Sequence, residues 1–323
     1  MRRFVARFVL FVVLAAGMLL AVSSVCRHLR KRVLDDRVFV FGAGITTLIA
    51  GDSHPQAAVN PALLRGAENI CEGQEGYFFT YYKLKYFLRR NPQITHVILG
   101  FSYQNLARRY QELFISSEQE ATRLLGSYFV LLDDEGVELL RARISNKRPY
   151  YVNLLKFRYG LPIQVYRDKE LLREAVGAPL RRVDVPFFGG GFHKGENSRV
   201  EGKQMDAKVR LYFQDENGMY SGLSTLMVEY LEKIIHLCAE HGVDLTLYNA
   251  PLHASFKSRI PGQAIIDFAK VKDDLLARFP KVRYVDQVDE SLPNESFGDG
   301  DHVNSLGATV VTGKLARLVQ LSH

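Results

Sequence analysis

The sequence predicts an α/β fold with a mostly parallel sheet, an N-terminal transmembrane helix and a helical insertion. Three observations lead to this prediction. Short β-type runs alternate with amphipathic helical stretches, a pattern typical of crossover connections between parallel strands. A long uncharged run opens the 323-residue chain. A central stretch, residues 107–220, breaks the alternation with helical patterns of its own.

The opening run, residues 8–26, reads FVLFVVLAAGMLLAVSSVC and contains no charged residue. Its length matches the roughly 20 apolar residues that one helical crossing of a bilayer needs. A cleaved signal peptide is the alternative, but the run is long for one and a basic cluster follows it. We therefore predict an uncleaved membrane anchor over residues 1–32. Because basic residues flank both ends, the positive-inside rule gives no orientation.

The formal charge of +7 arises from this anchor and not from the body of the protein. Seven of the 42 basic residues lie in residues 1–32, which contain no Asp or Glu, so the remaining 35 balance the 35 acidic residues. The sequence therefore does not predict nucleic-acid binding. Three cysteines form neither a disulfide framework nor a zinc-binding pattern, and the sequence shows no metal-ligand cluster.

The regular elements follow in order along residues 33–323. Apolar and β-branched runs predict strands at 46–50, 95–100, 243–251 and 282–286. Apolar residues at helical spacing predict helices at 76–90, 223–241, 264–279 and 304–321, the second of them stopped by Gly242. Because ligands bind at the carboxyl ends of parallel strands, the loops after these strands are expected to share the functional edge.

The insertion at about 107–220 is predicted to be a helical subdomain that covers the strand ends. Its amphipathic stretches are followed by VPFFGGGFHKGENS at 185–198, whose glycines predict a mobile loop. His193 lies in this loop, on an expected lid.

The first candidate site residue lies in the stretch GDSH at 51–54, directly after a predicted strand. Ser53 precedes a candidate helix, where free backbone amides favour negative charge on a nucleophile. The tripeptide Gly-Asp-Ser is weak evidence by itself, because Asp and Ser also cap helices. At this point a nucleophile and a helix cap are both open interpretations.

The candidate partners of Ser53 lie near the other end of the chain, in GDGDHVNSLGA at 298–308. A serine hydroxyl is a weak nucleophile until a base takes its proton, and an imidazole does this best when a carboxylate orients it. Asp299 and His302 are three residues apart, which can place both on one side of a turn. The alternative is a helix-entry cap by Asp301 or Asn304, with His302 exposed.

The stretches IAGDSH and DGDHVNSLGA together resemble the first and last sequence blocks of the SGNH, or GDSL-like, hydrolase family. The resemblance extends over roughly 46–105 and 225–320 and leaves out the anchor and the insertion. It implies a three-layer flavodoxin-like fold with Ser53 as nucleophile, His302 as base and Asp299 as the carboxylate that orients the base. Neither a cofactor nor a metal is expected.

The resemblance also implies which groups stabilise the oxyanion. They include the backbone amides of Ser53 and of Gly73, the latter in ENICEGQEGY. The third family block, Gly-x-Asn-Asp, is replaced here by LGFSYQN, with Ser102 where the Asn should be. Asn105 is the predicted substitute, with Ser102 and Gln104 as alternatives. Loss of one such donor typically costs about 10²–10³ in rate.

Three further side chains are predicted to contact substrate. His54 adjoins the nucleophile, Ser102 lies in the altered block, and His253 follows a predicted strand on the functional edge. The ordinary alternatives are that His253 is a loop residue and that His54 points away from its neighbour. Cys71 is interpreted as a small buried thiol and not as a nucleophile.

The anchor, the GDSH block and the insertion together resemble envelope members of the family, the accessory proteins of polysaccharide O-acetylation and teichoic acid D-alanylation. Since this step rests on architecture, it is analogy. It implies a serine esterase or O-acyltransferase that acts on an acylated glycan or small ester, beside a membrane-bound O-acyltransferase.

The expected location is a bacterial-type inner (cytoplasmic) membrane, crossed once, with the catalytic domain on the periplasmic or extracellular side. A basic start before a single apolar run usually sends a long following domain across. The rival hypothesis is a non-catalytic scaffold that binds the acyltransferase and keeps a vestigial triad.

Overall fold

The computed structural model describes the following parts of the chain: residues 1–33, 40–110, 128–129, 131–144, 147–154, 191–195 and 200–320. Residues 34–39, which follow the predicted anchor, and parts of the predicted insertion at 107–220 lie outside these residues.

A parallel sheet of five strands forms the centre of the described fold, in the order β2-β1-β3-β4-β5. The strands are β1 (Thr47–Ala50), β2 (Ala67–Asn69), β3 (His96–Gly100), β4 (Asp244–Asn249) and β5 (Arg283–Asp286). Every neighbouring pair is parallel. The predicted α/β class with a parallel sheet is therefore confirmed.

Helices cover both faces of this sheet. The α-helices of the described residues are, in chain order, α1 (Arg2–Val33), α2 (Ser53–Ala58), α3 (Tyr77–Arg90), α4 (Asp134–Arg143), α5 (Lys147–Asn153), α6 (Gly202–Phe213), α7 (Thr225–Glu240), α8 (Ala254–Lys257), α9 (Gly262–Arg278) and α10 (Ser305–Gln320). Alternate strand residues point to opposite faces. Leu48 and Leu99 thus join one apolar core with α3, α7 and α9, whereas Ile49 and Ile98 join another with α2 and α10.

The sequence explains why the inner strands form where they do. All residues of β1 and β3 are buried, and strands covered on both faces are expected to be continuous apolar runs. The edge strand β2 was not predicted, because Ala-Glu-Asn contains no β-branched or aromatic residue. Its pairing with β1 determines its conformation.

The predicted helices also begin and end close to their expected positions. The aromatic-rich α3 is largely buried, because its apolar residues lie on more than one face of the helix. Helix α7 ends at Glu240, and Gly242 follows with a φ of +66°, the left-handed conformation that favours glycine after a helix. The backbone N–H of Val243 donates to the Cys238 carbonyl at 2.8 Å, which closes this end.

The N-terminal helix α1 contains the segment Arg2–Val22, which is long and apolar enough to cross a membrane and is not buried against the rest of the protein. Length and composition are the basis of this assignment, and a signal sequence meets the same criteria.

The turn between β1 and α2 depends on a glycine. Gly51 has a φ of +127°, a conformation that side chains disfavour. A Cβ on this residue would stand 3.1 Å from the backbone nitrogen of Gly100 and 3.1 Å from Cγ of Pro55. The close approach of the first and third strands at the functional edge therefore requires a residue without a side chain.

We expect Gly51→Ala to lower the free energy of unfolding by about 1–3 kcal/mol, the usual range for one strained backbone conformation. Urea unfolding of the full chain in detergent measures the change. Gly262→Ala is the matched control, since a Cβ at Gly262 meets nothing within 4 Å. Equal losses in the two variants would contradict the role of Gly51.

Candidate active site

The structure brings Ser53, His302 and Asp299 into one hydrogen-bonded chain. Oγ of Ser53 lies 2.8 Å from Nε2 of His302, although 249 positions separate the two residues. On the other side of the ring, Nδ1 of His302 lies 3.0 Å from Oδ1 and 3.2 Å from Oδ2 of Asp299. A hydroxyl, an imidazole and a carboxylate in this order can activate the hydroxyl as a nucleophile.

The loop before α10 folds back on itself to present the imidazole. Oδ1 of Asp299 accepts the backbone N–H groups of Asp301 and His302 at 3.0 and 2.9 Å. An antiparallel bridge between Phe297 and Val303 closes the base of this loop. The three-residue spacing therefore lets one carboxylate orient both the loop backbone and the ring, as the predicted turn requires.

A second carboxylate, from the adjacent Asp301, also faces the imidazole. It is fully buried, and its Oδ1 lies 3.3 Å from Nδ1 of His302. The ammonium of Lys208 on α6 donates to Asp299 Oδ2 at 2.7 Å and also to Asp301 Oδ1. The hydroxyl of Tyr212, one turn further along α6, donates to Asp301 Oδ2 at 3.3 Å. Sequence reasoning missed both Lys208 and Tyr212.

These contacts shift the pKa values of the charged groups. Burial alone would lower the pKa of His302, but the charge of Asp301 and the hydrogen bond to Asp299 raise it above the usual 6.5. Burial alone would raise the pKa of Asp301, but the charges of His302 and Lys208 hold it well below the ordinary value. His302 therefore retains a proton to higher pH than a free imidazole does.

His54, a predicted substrate contact, lies behind the triad and not in the cavity lining. It is buried, its ring meets that of His302 edge-on with centroids 4.9 Å apart, and its Nε2 lies 3.6 Å from Oδ2 of Asp301. The potential ligand atoms of His54, Asp301 and His302 lie within 4.8 Å of one another. Lys208 supplies a positive charge at Asp301 in this cluster.

The altered third block supports the turn that carries Ser53. Asp52 caps α2 and accepts the backbone N–H of His54 at 3.1 Å. Its other carboxylate oxygen accepts the amides of Gln104 and Asn105 at 3.0 and 2.8 Å and the hydroxyl of Tyr110 at 3.1 Å. Asn105, the predicted oxyanion donor, thus donates to a buried carboxylate beneath Ser53. Four donors converge on this single carboxylate.

A cavity of about 580 Å³ opens beside the Ser53 hydroxyl. It is lined by Ser53, Gln56, Ala57, His193, Lys194, Gly195, Gly298, Asp299, His302 and Val303. All three predicted triad residues thus line one cavity.

Several predicted contact residues are not part of this lining. Ser102 is fully buried, and its backbone N–H donates to Asn105. His253 caps the short helix α8 and uses both ring nitrogens, which contact the Ser255 N–H and the Asn294 side chain. Neither Ser102 nor His253 therefore lines this cavity.

The stretch after β2 contains Cys71 and Gly73, two residues that the sequence analysis singled out. A Cβ on Gly73 would stand 3.7 Å from Oε1 of Gln56, a cavity-lining residue, so the Gly73 loop adjoins the cavity wall. Cys71 is fully buried, and burial raises the pKa of its thiol well above the ordinary value. This agrees with the interpretation of Cys71 as a structural thiol.

The segment 191–195, in the predicted loop, crosses one side of the cavity. The N–H of Gly191 donates to the Cys71 carbonyl, and the N–H of His193 donates to the Gln56 carbonyl, both at 3.1 Å. His193 and Lys194 consequently line the cavity. The predicted insertion thus contributes to the site both through this segment and through α6.

The fold and the site define a class: a parallel α/β protein with a Ser-His-Asp constellation beside the carboxyl edge of its sheet. No protein-family model and no curated protein matches the chain.

Proposed function

We propose that this protein is a membrane-anchored serine esterase or O-acyltransferase of the SGNH type, acting on acyl esters of cell-envelope glycans. The observation that carries the proposal is the 2.8 Å contact between Ser53 Oγ and His302 Nε2, with Asp299 on the opposite ring nitrogen. The strand order 2-1-3-4-5 supports it, because this is the order of flavodoxin-like sheets.

The proposed reaction proceeds through an acyl-serine intermediate. Nε2 of His302 takes the Ser53 proton as Oγ attacks the ester carbonyl, and then gives that proton to the departing alcohol. In the second half, His302 takes a proton from an acceptor hydroxyl that attacks the acyl-serine and returns this proton to Ser53. Water as acceptor gives an esterase, and a sugar hydroxyl gives an O-acyltransferase.

The proposed oxyanion donors are the backbone amides of Ser53 and Gly73. Ser53 is the first residue of α2, and the first amides of a helix lack intrahelical partners. The side chain of Asn105 serves the site indirectly, because its amide holds Asp52 at the nucleophile turn. A donor to a developing oxyanion is typically worth about 10²–10³ in rate.

The proposed location is the inner membrane of a bacterial-type envelope, with the catalytic domain on the outer side. The apolar helix at the N-terminus supports an anchored protein. The proposed partner is a membrane-bound O-acyltransferase, which would supply or receive the acyl group.

Labelling with a fluorophosphonate probe tests the proposal, because such probes react with an activated serine. We expect the wild-type chain to be labelled and Ser53→Ala to remain unlabelled. Ser258→Ala is the matched control, since Ser258 follows α8 and is not part of the cavity lining.

The scaffold hypothesis predicts a different result of the same experiment. One observation favours it: the side-chain amide that could complete the oxyanion site is held by Asp52. Because the pKa of His302 is raised, labelling is measured from pH 6 to pH 10, where the base progressively loses its proton. Absence of labelling throughout that range would support a scaffold and overturn the enzymatic proposal.

A further inference from the structure

Helix α6 places one cation against both carboxylates of the site. Nζ of Lys208 contacts Asp299 Oδ2 at 2.7 Å and also contacts Asp301 Oδ1. The Lys208 side chain is about one quarter exposed, whereas that of Asp301 is fully buried. Lys208 comes from the insertion, outside the two sequence blocks that resemble the hydrolase family.

The charges around the imidazole explain what this cation does. Nδ1 of His302 lies 3.0 Å from Oδ1 of Asp299 and 3.3 Å from Oδ1 of Asp301. An opposite charge within about 4–6 Å stabilises the protonated ring, and two such charges do so more strongly than one. Two unopposed carboxylates would therefore favour the imidazolium ion, which cannot accept the Ser53 proton. Lys208 compensates one of these charges.

Apart from Lys208, no lysine or arginine in the described part of the chain is in contact with both carboxylates. The titratable or charged groups that face His302 or line the same cavity come from the loop before α10, from α6, from α2 and from the segment 191–195: Asp299, Asp301, Lys208, Tyr212, His54, His193 and Lys194. Asp52 lies deeper, under the first turn of α2, where its own donors surround it.

We propose that Lys208 is a positioning residue that holds Asp299 and Asp301 in place and limits how strongly they retain the proton on His302. The consequence for catalysis rests on the proposed function. The consequence for the His302 proton does not, because it follows from the charges and distances alone.

The first test follows the pH dependence of fluorophosphonate labelling. In Lys208→Met the rising limb of the profile should move to higher pH by about 1–2 units, so that labelling below the limb slows by about 10–100-fold. Lys208→Arg should restore the wild-type profile. The double variant Lys208→Met with Asp301→Asn should also restore it, because removing one negative charge compensates for the lost positive charge. A purely structural role would slow labelling equally at every pH.

The second test does not need an active enzyme. The full chain, with ¹⁵N-labelled histidine and Ser53→Ala, is titrated by NMR in detergent micelles, and His302→Gln identifies the His302 signals. We expect a higher His302 pKa in Lys208→Met and a lower one in Asp301→Asn, which leaves Lys208 in place and preserves the side-chain shape.

The two tests separate the possible failures. A shifted titration in a protein that is never labelled would support the role of Lys208 and overturn the enzymatic proposal. Labelling in the wild type together with an unchanged His302 pKa in both variants would overturn the role of Lys208.

Discussion

His302→Gln should lower the rate of ester cleavage by about 10⁴-fold or more, and adding Ser53→Ala should reduce the rate no further. The reason is that the two residues act as one unit. The hydroxyl depends on Nε2 of His302, 2.8 Å away, to take its proton, and the imidazole acts on ester only through that hydroxyl. Removing either residue therefore removes nearly all of the rate enhancement that Ser53 and His302 provide together.

Single-turnover hydrolysis of a p-nitrophenyl ester by the full chain measures this effect in the wild type, in both single variants and in the double variant. His241→Gln is the control, because His241 is exposed beyond the end of α7. If the losses of the two single variants multiplied in the double variant, Ser53 and His302 would act independently, and the proposed proton transfer between them would be wrong.

The sequence predicted the framework well because the signals for its strands and helices are local. Strands β1, β3, β4 and β5 and helices α3, α7, α9 and α10 all begin and end within two residues of their predicted positions. Each has its own apolar periodicity or apolar run. Strand β2 was missed because its three residues carry no such signal, and only backbone pairing with β1 makes them a strand.

The site was predictable to the extent that its residues lie in short blocks of recognisable spacing. Ser53, Asp299 and His302 lie in two such blocks, and the structure brings them into contact. Lys208 lies on a helix of ordinary amphipathic composition, and its position against two carboxylates arises only from tertiary packing. No local pattern marks it.

The direction in which a side chain points could also not be predicted from the sequence. Asn105 was predicted to face the substrate because it stands near the position of a family donor. The short turn of 3₁₀-helix at Tyr103–Leu106 directs its amide to Asp52 instead. The position of Asn105 along the chain predicted the correct loop. The backbone conformation of that loop determined that the Asn105 amide contacts Asp52.

Lys83→Met should lower the free energy of unfolding by about 3–5 kcal/mol, the typical effect of breaking a buried ion pair. Lys83 lies on α3 and is fully buried, and its ammonium donates to Glu75 and to the carbonyl of Ile70. The hydroxyl of Tyr128 also donates to Glu75. Burial raises the pKa of Glu75, and Lys83 opposes that effect. Without the lysine, a buried carboxylate would lose its counter-charge.

Urea unfolding of the full chain in detergent measures the loss, with Lys85→Met as the matched control. Lys85 lies two positions along the same helix and pairs with Asp133 at 2.8 Å, but both side chains are more than 40% exposed. Exposed pairs contribute about 0–1 kcal/mol, so the control should lose far less stability. Equal losses in the two variants would show that Lys83 contributes through its alkyl chain and not through its charge.

The double variant Lys83→Met with Glu75→Gln separates the charge of Lys83 from its contact with the backbone. If the unpaired carboxylate causes the loss, neutralising it should restore part of the stability. Any loss of stability that persists would come from the missing hydrogen bond between Lys83 and the Ile70 carbonyl. This carbonyl lies at the start of the loop between β2 and α3. Because this loop carries Gly73, a persistent loss accompanied by slower labelling of Ser53 would connect the buried pair to the proposed oxyanion site.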